Sequence, residues 1–110
     1  MNVIVVGMGR MGVSLARKLD RQGYSVCAID QDPERLESLG ESFGGSTVEG
    51  VGFDRAVLEA AGIDRASAVI ACTSSDETNI VVARISRQTY RVPRVIARLY
   101  EISNAETYRR

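Results

Sequence analysis

Short apolar runs alternate with helical patterns along the whole chain. Val3-Ile4-Val5-Val6 is four apolar residues without a polar interruption, which suits a strand buried on both faces. From about Arg10 to Arg21, Gly12, Leu15, Ala16 and Leu19 fall on one helical face, with Arg17 and Arg21 elsewhere. Gly23 fits the left-handed residue that closes such a helix. A second run, Ser25 to Ile29, ends at Asp30. Asp32-Pro33-Glu34 then reads as a short helix start, with Asp32 as N-cap, Pro33 in the first turn, and Leu36 and Leu39 facing inward. Gly44-Gly45 forms a turn before a third strand, Ser46 to Glu49. Asp54 caps a helix carrying Val57 and Leu58, closed by Gly62. Ser67 to Cys72 is a fourth strand. A long helix follows from Asp76, itself a candidate cap, to about Tyr90. Val92-Pro93 leads into a fifth strand, Arg94 to Leu99, and a last helix begins near Ser103.

Strands that alternate with helices in this order predict an α/β fold: a Rossmann-like, doubly wound parallel sheet with helices on both faces. There is no internal repeat and no interior linker, so residues 1–110 read as one domain. The helical pattern still runs at Tyr108-Arg109-Arg110, and the natural protein is expected to continue beyond it.

Composition narrows the function. The chain has 110 residues, 45% hydrophobic and 25% charged, an ordinary globular balance with too little length for a second, substrate-binding domain. The net charge is zero and no basic tract occurs, which argues against a nucleic-acid partner. No His is present, removing the commonest general base and a common metal ligand. Cys27 and Cys72 each sit inside an apolar run and have no metal-site spacing, so they read as buried thiols in a reducing cytoplasm. No apolar run approaches the ~20 residues of a membrane helix, and Met1-Asn2-Val3 does not open a secretory leader. Thirteen of the 14 basic residues are Arg, which reads as genome composition.

The candidate chemistry lies after the first run. Gly7-Met8-Gly9-Arg10-Met11-Gly12 matches G-x-G-x-x-G and joins a buried strand to an amphipathic helix, the context in which that motif binds nucleotides. Gly7 allows the tight turn, Gly9 lets backbone approach a pyrophosphate, and Gly12 seats the helix close to the sheet. The helix N-terminus presents free N–H groups to phosphate. Asp30 stands 18 residues after Gly12, at the end of the second strand, where an acid holds ribose hydroxyls. No Arg occupies position 31 or 32 and Asp32 would repel a 2′-phosphate, so an unphosphorylated ribose is favoured. Thr73 and Ser74, after the fourth strand, can donate to phosphate or ribose oxygens.

The chain as a whole resembles the nucleotide-binding domain of cytoplasmic potassium-transport regulators, the Trk/Ktr regulatory subunits, also called the RCK or KTN domain. The residues that carry the likeness are Gly7 to Gly12 with Arg10 inside the loop, Ile29-Asp30-Gln31-Asp32-Pro33, Leu58 to Ile63, Ala68 to Thr73 with Asp76-Glu77-Thr78-Asn79, and Val95-Ile96-Ala97-Arg98. The resemblance implies a sensor and not a catalyst, without catalytic residues or a metal. It implies NAD, NADH, ATP or ADP as ligand, homodimers that assemble into a larger ring, and an integral membrane potassium transporter or channel as partner. Under it, Gly7, Met8, Gly9, Arg10 and Met11 hold phosphates, with Gly12 completing the motif. Asp30 holds the adenosine ribose, and Thr73, Ser74 and Arg98 complete the pocket. Where the family usually has Gly-Asp-Ala after the third strand, this chain has Gly50-Val51-Gly52, so Val51 is expected to pack on the adenine ring.

Two other classes share the first half of this pattern. The cofactor domain of an NAD-dependent dehydrogenase would need an acid/base group and a substrate pocket, and Lys18 on the first helix is the only Lys or His. A binding domain of another exporter or channel would differ in its genomic neighbours. The apolar residues Ile80, Val81, Val82, Ala83 and Ile85 nearly encircle the long helix. That surplus predicts self-association, with Tyr90, Leu99, Tyr100 and Ile102 extending the surface.

Overall fold

Five parallel strands form the centre of the molecule. The computed structural model describes residues 1–100. The strands are β1 (Asn2–Val6), β2 (Ser25–Asp30), β3 (Ser46–Glu49), β4 (Ala68–Ala71) and β5 (Arg94–Ala97), and their order across the sheet is β3-β2-β1-β4-β5. Every neighbouring pair is parallel. The chain works outward from β1 to β3, then crosses back to place β4 on the other side of β1. The direction of winding therefore reverses between β1 and β4, which opens a crevice at their carboxyl ends.

Side chains alternate across the central strands. Ile4, Val6, Cys27, Ile29, Val69 and Ala71 pack on one face against α3 (Arg55–Ala60) and α4 (Asp76–Arg84) through Leu58 and Val82. Val3, Val5, Val26 and Ala28 pack on the other against α1 (Arg10–Arg21) and the segment after α2 (Pro33–Glu37), through Ala16 and Leu39. Two-sided burial explains why Val3 to Val6 show no polar alternation. The doubly wound fold is thus the one expected, and the predicted last helix near Ser103 lies outside the described residues.

Local chemistry sets most element ends. Gly23 takes φ +96° after α1. The Asp32 side chain accepts from the Glu34 N–H at 3.0 Å with Pro33 at the first helical position. The Asp54 side chain accepts from the Ala56 N–H at 2.9 Å. Several details differ from the pattern. Val13, and not Leu15, joins the packed face of α1. The cap of α4 is Ser75, which accepts from the Thr78 N–H at 3.2 Å, while Asp76 is the first helical residue and accepts from the Tyr100 N–H at 2.7 Å. Beyond Arg84 the helix widens into a π turn, Ile85–Thr89, where the Ser86 hydroxyl donates to the Val82 carbonyl at 2.7 Å. Ser86 is fully buried, and this back-bond supplies a partner its hydroxyl would otherwise lack.

The approach of α1 to the loop before it is the tightest junction in the fold. A Cβ on Gly12 would overlap the Gly7 carbonyl oxygen, a backbone atom with no side-chain freedom to move aside. Gly12→Ala is expected to destabilise the domain by about 3 kcal/mol, as backbone-displacing overpacking does. Urea unfolding of the two proteins measures it, and an unchanged midpoint would show that α1 can lift off the sheet without penalty.

Candidate functional site

The loop between β1 and α1 is pinned at both ends. Gly7 takes φ +100°, a conformation that disfavours other residues, and a Cβ there would lie 2.8 Å from the backbone of Thr73. Its N–H donates to the Ile29 carbonyl at 2.8 Å. The next N–H, of Met8, donates to Asp30 Oδ2 at 2.7 Å, while Asp30 Oδ1 accepts from the Asp32 N–H at 2.9 Å. Asp30 is thus a brace between the glycine loop and the end of β2. Each of its oxygens keeps acceptor capacity for a ribose hydroxyl.

The first turn of α1 contains no acidic residue, so its free N–H groups and positive dipole end face the crevice uncompensated. The N-terminus of α4 borders the same crevice but is already supplied by Ser75, Asp76 and Glu77. Of the two helix ends, only that of α1 suits a phosphate. Arg10 and Arg98 line the crevice as cations. An Arg98 guanidinium nitrogen lies 2.7 Å from the Met11 sulfur, and the group stacks 4.7 Å from the Tyr100 ring centroid.

The crevice encloses about 570 Å³. The structure brings Gly7, Gly9, Arg10, Met11, Asp30, Val51, Thr73, Ser74 and Arg98 to its walls. Two expected residues are not there as wall residues. Met8 is 1% exposed with its side chain in the core, and contributes through its backbone. Gly12 is buried under the loop and acts through packing. The Thr73 hydroxyl is engaged within the protein, 2.7 Å from Asn79 Oδ1 on α4 and 3.1 Å from the Ser75 carbonyl. A more open hollow of about 590 Å³ runs along the outside of α1 past Arg17 and Arg21, sharing Gly9 and Arg10 with the crevice.

Sequence reading missed several wall residues. Arg35 reaches the Asp30 corner of the crevice from α2, its guanidinium 4.0 Å from Asp30 and 3.8 Å from Asp32. One cation between two carboxylates leaves the corner net negative, so it still disfavours a 2′-phosphate. The helical reach from position 35 is the signal that inspection of positions 31 and 32 alone passes over. Phe53, Gln31, Thr78 and Tyr100 also line the crevice. Cys72 does too, 6% exposed, and burial pushes its thiol above the ordinary range, with Arg98 opposing. Burial likewise raises Cys27, with the Ser46 hydroxyl opposing. Both cysteines are free and buried, as expected.

The TrkA-N domain family matches residues 3–110. The chain belongs to this family. It is 44% identical over all 110 residues to the Trk system potassium uptake protein TrkA of Streptomyces coelicolor, and spans 49% of that relative. Its fold matches the GsuK RCK domain at TM-score 0.78 and 28% identity, covering 98% of this chain and 23% of that one. It also matches the NAD(P)-binding domain of an exopolyphosphatase-related protein from Archaeoglobus fulgidus at TM-score 0.81 and 28% identity, covering 97% and 79%. The RCK resemblance read from the motifs is correct. Among the described residues of this TrkA-N domain, no helix is long and apolar enough to cross a membrane, and no three His, Cys, Asp or Glu side chains group as a metal site.

Asn79 holds the far wall of the TrkA-N crevice together. It is fully buried on α4. Its Oδ1 accepts from the Thr73 N–H at 2.9 Å and from the Thr73 hydroxyl, and its Nδ2 donates to the carbonyls of Thr73 at 3.1 Å and Arg98 at 2.7 Å. One amide therefore joins the ends of β4 and β5 to the helix behind them. Asn79→Ala strands one backbone N–H and two carbonyls, each costing about 1–3 kcal/mol when buried. A stability loss of at least about 3 kcal/mol is expected in urea unfolding. A loss under about 1 kcal/mol would mean that water replaces the amide.

Proposed function

We propose that this TrkA-N domain is a nucleotide sensor. In this reading it binds NAD, NADH, ATP or ADP in the crevice and regulates a potassium uptake transporter or channel from the cytoplasmic face of the membrane. The observation that carries the reading is the presence of two features in one crevice: the uncompensated N-terminus of α1 behind Gly9 and Arg10, and the Asp30 carboxylate at the end of β2. Phosphates suit the first and ribose hydroxyls the second. Gly7, Met8, Gly9, Arg10, Met11 and Gly12 form the phosphate loop, directly or through packing. Thr73, Ser74 and Arg98 close the far side, and Val51 meets the base. The potassium partner is carried over from relatives named for potassium uptake and from the RCK neighbour.

In this reading the role is regulatory, and burial keeps the Cys72 thiol at the crevice wall above its ordinary range. A bound nucleotide would change the contacts of Thr73 and Ser74. Through Asn79 these pass to α4, so ligand state has a short mechanical route out of the pocket.

Calorimetric titration with NAD, NADH, ATP, ADP and NADPH tests the binding, with NADPH expected to be weakest. Asp30→Ala should weaken the preferred ligand by about 1–3 kcal/mol, the worth of a charged hydrogen bond. It should also lower the urea midpoint, because Met8 and Asp32 lose their acceptor. Wild-type affinity in that variant, or a preference for NADPH, would overturn the assignment.

The same reading includes a homodimer, within a larger ring in the full protein. On α4, Val82 and Ala83 are buried in the core and Val81 is 42% exposed, so the free apolar surface is narrower than the sequence pattern implied. Tyr90 packs against the core, its ring 5.7 Å from the Arg55 guanidinium, and does not extend that surface. Of the other residues assigned to it, Tyr100 is exposed and Ile102 lies outside the described residues. Light scattering should give twice the monomer mass of 12.0 kDa, falling back toward it in Val81→Asp. A monomer at high micromolar concentration would refute pairing through this domain.

A further inference from the structure

We infer that Phe53 is the base-reading residue of the crevice: its ring is the platform on which a purine stacks, so the base is recognised by its face more than by its polar edge. The inference rests on the nucleotide reading above and adds how the base is held. Phe53 is 47% exposed and belongs to neither core cluster, whereas the other phenylalanine, Phe43, packs into one of them. A large aromatic that the core does not use, set in the wall of a crevice, marks a contact made with something else. Phe53 lines the same crevice as Asp30, Gln31 and Val51. A ribose held by Asp30 directs its base toward this stretch.

The frame under the ring is rigid. The Gly50 N–H donates to the Asp30 carbonyl at 3.0 Å, and the Asp54 N–H donates to the Val51 carbonyl at 3.0 Å. Gly52 and Phe53 are therefore the central residues of a turn closed between Val51 and Asp54. Asp54 in turn caps α3. A Cβ on Gly52 would overlap the Val6 side chain, so the turn sits directly on the end of β1. Asp30 thereby fixes the ribose end and the base platform through one residue, by side chain and by carbonyl. Tyr100, the other aromatic in the wall, is taken up by the Arg98 guanidinium.

The residues Gly50 to Phe53 carry no polar side chain. A site that reads a base by hydrogen bonds rejects an analogue by about 10⁴-fold or more, while stacking on an aromatic ring tolerates every base. The consequence is a purine site with weak selectivity between adenine and guanine.

Titration of wild type, Phe53→Ala and Phe53→Trp with ATP, NAD, GTP and pyrophosphate tests this. Phe53→Ala should weaken ATP and NAD about 5- to 150-fold, the range for loss of one stacked base. Its affinity for pyrophosphate, which has no base, should be unchanged. Wild type should bind ATP and GTP within about tenfold of each other. The chain contains no Trp, so the emission of Phe53→Trp comes from this position alone, and ATP should quench it while pyrophosphate should not. Unchanged ATP affinity in Phe53→Ala, an equal loss for pyrophosphate, or rejection of GTP by more than about 100-fold would overturn the inference while leaving nucleotide binding intact. Wild type that binds no nucleotide would overturn the sensor reading and this inference with it.

Discussion

The hydrogen bond from the Met8 N–H to the Asp30 carboxylate holds the site in register. It ties the glycine loop after β1 to the end of β2, the strand next to β1 on the side away from β4. With the Gly7 N–H on the Ile29 carbonyl, it fixes where the loop leaves the sheet and therefore where α1 begins and points. The same Asp30 supports the Asp32 N–H at the start of α2 and, through its own carbonyl, the turn that carries Phe53. The carboxylate is a structural joint as well as a wall of the crevice, so any change in its contacts is also a change in local rigidity.

The crevice carries charge of both signs. The dipole of α1 has no acidic residue in its first turn, with Arg10 and Arg98 near it. At the end of β2, Asp30 and Asp32 surround the single guanidinium of Arg35. The second helix pointing at the crevice, α4, brings its own acids and cap, so it does not compete for anions. Its contribution is mechanical. The buried Asn79 amide grips Thr73 and Arg98 from behind, and places a packed helix one hydrogen bond away from the ligand's surroundings. That arrangement suits a domain whose output is a change in its own surface.

Much of this was legible along the chain. The apolar runs located β1, β2 and β4, because the interior strands of the sheet are covered by helices on both faces, while the edge strands β3 and β5, which keep exposed polar residues, were legible from the turns and helices around them. The glycine spacing and Asp30 located the crevice, because close backbone approach tolerates no side chain. Motif likeness named the family. What escaped was contact between distant positions. Arg35 meets Asp30 because α2 turns back over the end of β2. Phe53 reaches the crevice because a closed turn sits on β1. Ser75 rather than Asp76 caps α4 because the backbone is still extended at Ser75 and already helical at Asp76, whose carboxylate accepts from the Tyr100 N–H.

The amino-acid sequence alone determined the order of elements, the two-sided burial of the central strands and the place of the glycine turn before α1. Each depends on residues within a few positions of one another, where periodicity and chain geometry act directly. Tertiary structure decided the division of labour among polar groups: Asp30 as brace, the Thr73 hydroxyl engaged within the protein, Asn79 as clamp, Met8 in the core and Phe53 in the open. A hydrogen-bonding group takes whichever partner the fold brings within about 3 Å, and strand order, which is not written in local pattern, sets that partner.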